Sequence, residues 1–250
     1  MRRIFIFFTS LLLILSGTID QVQAQDTLLI PLKIKVGLEA SGPAIYVSDK
    51  NILNTEGYIA ADLNEKVAGV IGAGYLSYKY SQYNYEYLNK GIFVKAGADF
   101  NLLKPEKSLG KYWAGIGLRY GISVFNSEIP SFKHENAWGT RISSVENMRD
   151  WGHFIEVSPG VRAEIFRNIS IGWTVNIRKL LFLGTGKDLR PVYFPGYGNG
   201  SKSFSTGLSY FLVWNIPFKK IKVITKPEVP EESDDTLEPS TNQQTIGSNQ

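Results

Sequence analysis

Between Tyr112 and Val124 the chain alternates without a break: Tyr112, Ala114, Ile116, Leu118, Tyr120, Ile122 and Val124 fall on one side, and Trp113, Gly115, Gly117, Arg119, Gly121 and Ser123 on the other. A repeat of two puts successive side chains on opposite faces of a β-strand. The pattern returns from Leu32 to Phe218 and predicts eight strands: Leu32 to Ser41, Glu56 to Leu63, Ala68 to Ser81, Leu88 to Leu102, Tyr112 to Phe125, His153 to Phe166, Asn168 to Lys179 and Ser203 to Phe218. Connections after the even strands are brief: Asn64 to Val67, Leu103 to Lys111 and the Arg167-Asn168 turn. Those after the odd strands run Gly42 to Thr55, Gln82 to Tyr87, Asn126 to Gly152 and Leu180 to Lys202. Brief turns at one end and longer loops at the other, around an even strand number, predict an all-β fold. Its form is an eight-stranded antiparallel up-and-down transmembrane β-barrel with both ends of the barrel segment on the periplasmic side.

Alternation alone leaves open which face meets water, since a soluble barrel alternates too, with its apolar side inward. The polar side decides. It carries Lys33, Lys35, Glu39, Asp62, Lys79, Lys95, Asp99, Arg119, Glu156, Arg162, Glu164 and Arg178, interspersed with glycines such as Gly37, Gly97, Gly117 and Gly121. Glycine weakens a strand and has no use on a solvated face, but it makes room where backbones crowd a narrow interior. Cations and acids close to balance suit enclosed groups that must pair. The opposite side, with stretches such as Leu32, Ile34, Val36, Leu38 and Ile92, Val94, Ala96, Ala98, Phe100, carries no charge. That is the requirement of a lipid-facing surface, where a midplane charge is worth about 2 to 4 kcal/mol of destabilisation. The expectation is a lumen plugged by ion pairs. Tyr78, Tyr80, Tyr112, Phe166, Tyr210, Trp214 and Phe218 near strand ends suit an interfacial aromatic belt.

Composition then places the ends. Arg2 and Arg3, an apolar run from Ile4 to Leu15, and Val22-Gln23-Ala24 predict a secretory signal peptide over 1–24, removed before Gln25. The run is too short for a membrane helix. No cysteine is present, so disulfides are excluded. Without the signal, Lys plus Arg falls from 27 to 25 and Asp plus Glu from 23 to 22. The barrel segment 25–220 is basic. The remainder, 221–250, is acidic, with Pro227, Pro230, Pro239, Glu231, Glu232, Asp234 and Asp235, a composition that predicts a disordered periplasmic tail.

Val36-Gly37-Leu38, Ala73-Gly74-Tyr75, Gly117-Leu118-Arg119-Tyr120-Gly121, Trp138-Gly139-Thr140, His153-Phe154-Ile155-Glu156, Gly172-Trp173, Phe194-Pro195-Gly196-Tyr197-Gly198 and Asn215-Ile216-Pro217-Phe218-Lys219-Lys220 resemble a family of small Bacteroidota outer-membrane barrels of unknown function. The resemblance spans nearly the whole barrel segment. It implies fold and an outer-membrane location in a Gram-negative envelope, and supplies no catalytic residues.

Candidate chemistry is sparse. Only two histidines, His134 and His153, are present and no cysteine supplements them, so neither a metal site nor any cofactor is expected. A lipid-hydrolysing arrangement would draw on His134 or His153, Ser143 or Ser144, and Glu146 or Glu156. Gly184-Thr185-Gly186-Lys187 lacks the earlier glycine and the following helix of a phosphate loop. The better functional residues are loop aromatics with a cation: Trp138 and Trp151 in one loop, Arg190, Tyr193, Phe194 and Tyr197 in the other, either as a recognition surface or folded back as a lid. The expected function is therefore a non-enzymatic barrel, structural or partner-binding through its outer loops. Its partners would be outer-membrane lipid, the assembly machinery during insertion, and an envelope protein or surface glycan, with no nucleic acid. The alternatives are a lipid-modifying enzyme and a soluble periplasmic lipocalin-like carrier.

Overall fold

In the computed structural model eight long strands carry the chain: β1 (Asp26–Glu39), β2 (Ile52–Asp62), β3 (Val67–Gln82), β4 (Tyr85–Asn101), β5 (Tyr112–Asn136), β6 (Gly139–Phe166), β7 (Ile169–Gly184) and, after two short strands β8 (Tyr193–Phe194) and β9 (Gly198–Asn199), β10 (Phe204–Thr225). The structure describes residues 26–82, 85–184 and 190–225. The expected signal peptide, Thr185 to Lys187 and the tail beyond Thr225 lie outside the described residues. The long strands follow the order β1-β10-β7-β6-β5-β4-β3-β2, a closed barrel, while β8 and β9 form a separate hairpin. The all-β antiparallel expectation is met, and Thr27–Ile224 is one compact unit.

Several boundaries differ from the sequence reading. Asn126 to Gly152 is not a loop but the far half of the β5–β6 hairpin, with pairing from Asn126↔Arg149 to Asn136↔Gly139 and register shifts between Ser127, Ile129 and Phe132. Its alternation is masked by polar residues on both faces, as befits a ribbon in water, so hydrophobic periodicity alone misses it. β10 runs on past Pro217 to Thr225, five residues into the segment assigned to the tail. Two helices also went unpredicted: α1 (Ser41–Ser48) and the single turn α2 (Pro105–Ser108).

The turns follow local chemistry. Asn64 Oδ1 accepts the N–H groups of Lys66 and Val67, each at 2.8 Å, closing the β2–β3 connection. At the two-residue β6–β7 turn Asn168 takes φ 69°, a left-handed conformation that Asn tolerates better than most residues.

Parity along the strands sets the two faces. On β5, Gly115, Gly117, Gly121, Ser123 and Phe125 are buried, while Ile116, Leu118, Tyr120, Ile122 and Val124 are exposed. Inside, large rings are seated on glycines of the adjacent strand. Tyr58 lies opposite Gly37, Phe93 opposite Gly74, Phe125 opposite Gly91 and Phe154 opposite Gly121. A Cβ at any of these glycines would run into its facing aromatic residue. The glycines thus let inward aromatics lie across the neighbouring strand and fill the interior. Tyr58 meets Phe211 edge-on at 5.2 Å, and with Ala60, Val70 and Val213 they form an inner apolar patch that the polar-face reading did not anticipate. Leu32, expected to face outward, is buried at 6% exposure.

Gly121→Val is expected to lower stability by about 1 to 3 kcal/mol, because Phe154 has no other place to go. Gly69→Ala, whose added methyl meets no atom within 4 Å, should stay within about 0.5 kcal/mol of the parent. Urea titration of the refolded chain in detergent micelles reads both.

Candidate functional site: the ionic lumen and its lid

Glu156 sits in the middle strand of a three-strand arrangement, directly opposite Arg119 of β5 on one side and Arg178 of β7 on the other. Its carboxylate accepts from Arg119 Nη1 at 3.2 Å, Arg178 Nε at 2.6 Å and Lys95 Nζ at 3.0 Å, and it is 1% exposed. Lys95 stands two strands away on β4. It reaches the other way as well, donating to Glu56 Oε2 at 2.7 Å across Gly72 of β3. Arg119 Nη2 donates to Asp99 Oδ1 at 3.0 Å, above Gly117, where a side chain would collide with that carboxylate. Arg162 lies 3.9 Å from Asp99, donates to the Tyr58 hydroxyl at 2.9 Å and stacks over Trp113. Toward the turn end, Lys33 pairs with Glu164 and Lys35 with Asp62.

The lumen therefore joins Lys33, Lys35, Lys95, Arg119, Arg162 and Arg178 to Glu56, Asp62, Asp99, Glu156 and Glu164. Three positions depart from the sequence reading. Lys79 is exposed, because the parity fixed by Gly72 and Leu76 turns odd residues of β3 outward. Glu56 was missed, although it shares the parity of Asp62 on β2 and was legible by that rule. Glu39 is buried, yet among the described residues it joins no ion pair. Its carboxylate accepts the N–H groups of Ser41 at 2.9 Å and Gly42 at 2.8 Å, and the Ser41 hydroxyl, so it fastens the first turn of α1. Among Lys33, Lys35, Asp62, Asp99, Arg119 and Arg162 the cavities measure only about 50 and 20 Å³, room for isolated waters rather than a passage.

Above the ionic layer the Pro191 to Lys202 segment folds inward. Phe194 and Tyr197 are fully buried against Phe125 and Phe154, with Leu180 and Leu183 packed alongside. Asn89 Nδ2 donates to Tyr193 O at 2.7 Å, Arg178 Nη1 to Tyr197 O at 3.3 Å, and Tyr193 stacks on Tyr78 at 5.2 Å. Gly196, at φ 73°, rests against the Phe93 ring where only glycine fits. Burial pushes the Tyr193 phenol up, so it stays neutral inside the lid. Tyr193, Phe194 and Tyr197 are therefore lid residues rather than a recognition surface, and Tyr78 belongs with them rather than in an outer belt. Arg190 is exposed. Trp138, at the β5–β6 tip, is 96% exposed, and Trp151 sits on the outer face against Phe182 and His153.

The groups of the lipid-hydrolysis alternative do not converge. His153 shares the outer face with Tyr120, whose hydroxyl is 2.9 Å from its Nδ1, whereas Glu156 points inward. His134 contacts Phe132 and, among the described residues, makes no hydrogen bond to Ser143, Ser144 or Glu146. Among those residues no group of three metal-ligating side chains gathers, and no helix is long and apolar enough to cross a membrane.

The chain belongs to the family described as domain of unknown function DUF6048, whose model matches residues 1–221. No curated protein matches it. Among solved structures it is similar to Ail, the attachment invasion locus protein of Yersinia pestis, at 8% identity and a TM-score of 0.37, covering 76% of this chain and 97% of that one. It is also similar to CarO2 of Acinetobacter baumannii, at 11% identity and a TM-score of 0.35, with 76% and 99% covered.

Glu156→Ala leaves Lys95, Arg119 and Arg178 facing one another inside the barrel. Loss of about 3 to 5 kcal/mol is expected, read as a fall in the urea midpoint. Trp138→Ala at the hairpin tip should leave the midpoint unchanged within about 0.5 kcal/mol.

Proposed function

We propose that this DUF6048 member is an eight-stranded up-and-down barrel of a Gram-negative outer membrane, of the Bacteroidota kind its sequence resembles. In this reading it is exported by a signal peptide over 1–24 and carries its acidic tail in the periplasm. One observation carries it: the surface is inside out for a soluble protein. Lys95 is 2% exposed while Val94 beside it is 49% exposed. On β7 and β10 the outward band runs from Ile169↔Trp214 to Lys179↔Phe204, eleven residues bounded by an aromatic at one end and a lysine at the other. A tilted strand needs about 9 to 11 residues to cross the hydrocarbon. A lipocalin-like carrier would have the reverse polarity.

The role is non-enzymatic and the barrel does not conduct, because side chains fill the lumen and the lid covers it. Contact with partners falls to the β5–β6 hairpin. Its strands, of 25 and 28 residues, continue far past the width of a bilayer and end at Trp138, with Ile142 exposed at 72%. An exposed aromatic and aliphatic tip among Lys133, Arg141, Glu135 and Glu146 suits an envelope protein or a surface glycan.

Val94→Arg should destabilise the barrel in lipid vesicles by about 2 to 4 kcal/mol. The protein is expected to sediment with outer membranes and to give no ion steps in planar bilayers. Steady conductance from the purified chain would overturn the plugged lumen, and recovery in the soluble periplasmic fraction would overturn the membrane reading.

Photo-crosslinking in intact cells from Ile142, Tyr197 and Glu232 should give an adduct from Ile142 alone. An adduct confined to Glu232 would move partner contact to the periplasm.

A further inference from the structure

The barrel wall is incomplete at one seam. β1 ends at Glu39, and the last backbone bond on that side is Ala40 N–H to Tyr210 O at 2.8 Å, after which the chain turns into α1. β10 continues upward through Phe204–Ser209 with β7 on one side and, among the described residues, no strand on the other. β2 likewise continues from Glu56 to Ile52 with β3 on one side and, among the described residues, no strand on the other. α1 fills part of the notch, leaving a cleft of about 350 Å³ between itself, β10 and the β9 turn, within the range of small-ligand sites.

The cleft is polar within and apolar at its lip. Glu39, Asn54, Arg178, Ser205 and Ser209 line it, with Ile45, Ile52 and Leu208 also on its wall. Ile45 and Leu208 are each about half exposed on the outside. Leu208 lies opposite Val175, inside the apolar band and in the half nearer the loops. An open strand edge at that depth calls for a polar occupant, because hydrocarbon cannot satisfy free N–H and C=O groups. Asn54 Oδ1, buried and accepting no hydrogen bond from the described residues, adds an acceptor. The fixed charges are already engaged: Glu39 holds the start of α1, and Arg178 is bound to Glu156 and the Tyr197 carbonyl. A charged phosphate would find no unpaired cation there. Neutral donors and acceptors with an apolar exit suit hydroxyl groups attached to a hydrocarbon chain.

We propose that this lateral notch binds the neutral, hydroxyl-rich sugar headgroup of an outer-leaflet glycolipid, whose chain leaves the wall over Ile45 and Leu208. The proposal rests on the membrane reading above. Entry is from the side, since the lid closes the axial route.

The chain has no cysteine, so Ser205→Cys supplies a single thiol in the cleft and Ile116→Cys a single thiol on the lipid face. Each full-length variant is refolded into phosphatidylcholine vesicles and exposed to a water-soluble maleimide. Adding 5 mol% monoglucosyl diacylglycerol should slow labelling of Ser205→Cys at least fivefold, and Asn54→Ala in the same background should remove most of that protection while the barrel still inserts. Equal protection by phosphatidylglycerol, protection by methyl glucoside in solution, or no protection overturns the proposal. Fast labelling of Ile116→Cys in vesicles overturns the membrane reading itself, which separates the two failures. Should Asn54→Ala not refold, the lipid comparison on Ser205→Cys alone decides.

Discussion

Everything in this molecule turns on one carboxylate held by three cations. Glu156 is bonded to Lys95, Arg119 and Arg178 from three different strands, β4, β5 and β7. Removing an ion from water is expensive, and a low-dielectric interior returns that energy only where geometry and partner number are good. Here strand register supplies the geometry. Arg119 and Arg178 are the direct cross-strand neighbours of Glu156, so the same ladder that pairs the backbones also pairs the charges. A slip of β6 by one residue would turn Glu156 to the opposite face, away from Arg119 and Arg178, which makes the network a check on register as well as a filling for the lumen.

Glycine is the other half of that filling. Narrow barrels must be packed by inward side chains alone, with no separate core to add. At Gly37, Gly74, Gly91 and Gly121 the missing side chain is replaced by an aromatic from the next strand. Gly72 and Gly117 serve charge instead, clearing the way for Lys95 to reach Glu56 and for Asp99 to reach Arg119. Small and large residues on neighbouring strands therefore act as single units, and a change at either member disturbs the same contact.

How much of this the sequence shows depends on the rule involved. Parity has a period of two and no exceptions within a regular strand, so the inward positions of Lys95, Asp99, Arg119, Glu156 and Arg178 were legible, and Glu56 would have been by the same rule. Partner choice was not: nothing in the sequence says that Lys95 crosses a strand on each side. Lys79 was misplaced because its strand carries polar residues on both faces near the loop end, where water relaxes the pattern. The β5–β6 extension was lost for the same reason, and the lid because inward folding of Phe194 and Tyr197 depends on rings from distant strands, Phe125 and Phe154. The dual role of Glu39, acidic by composition yet committed to the start of α1, follows from a local turn that alternation does not encode.

The lid and the notch are best understood together. Arg178 touches both: its Nε holds Glu156 below, its Nη1 holds the Tyr197 carbonyl of the lid, and it lines the cleft beside β10. Lid, cleft and ionic layer thus share one guanidinium whose planar fork is rigid. Any displacement of the lid must lengthen the Tyr197 contact or tilt Arg178 away from Glu156, and the second loosens the bond on which the barrel interior is built. Along the axis four buried rings and the Asn89 and Arg178 hydrogen bonds lie together over the ionic layer, whereas at the seam the closure is α1, tied at its first turn by Glu39.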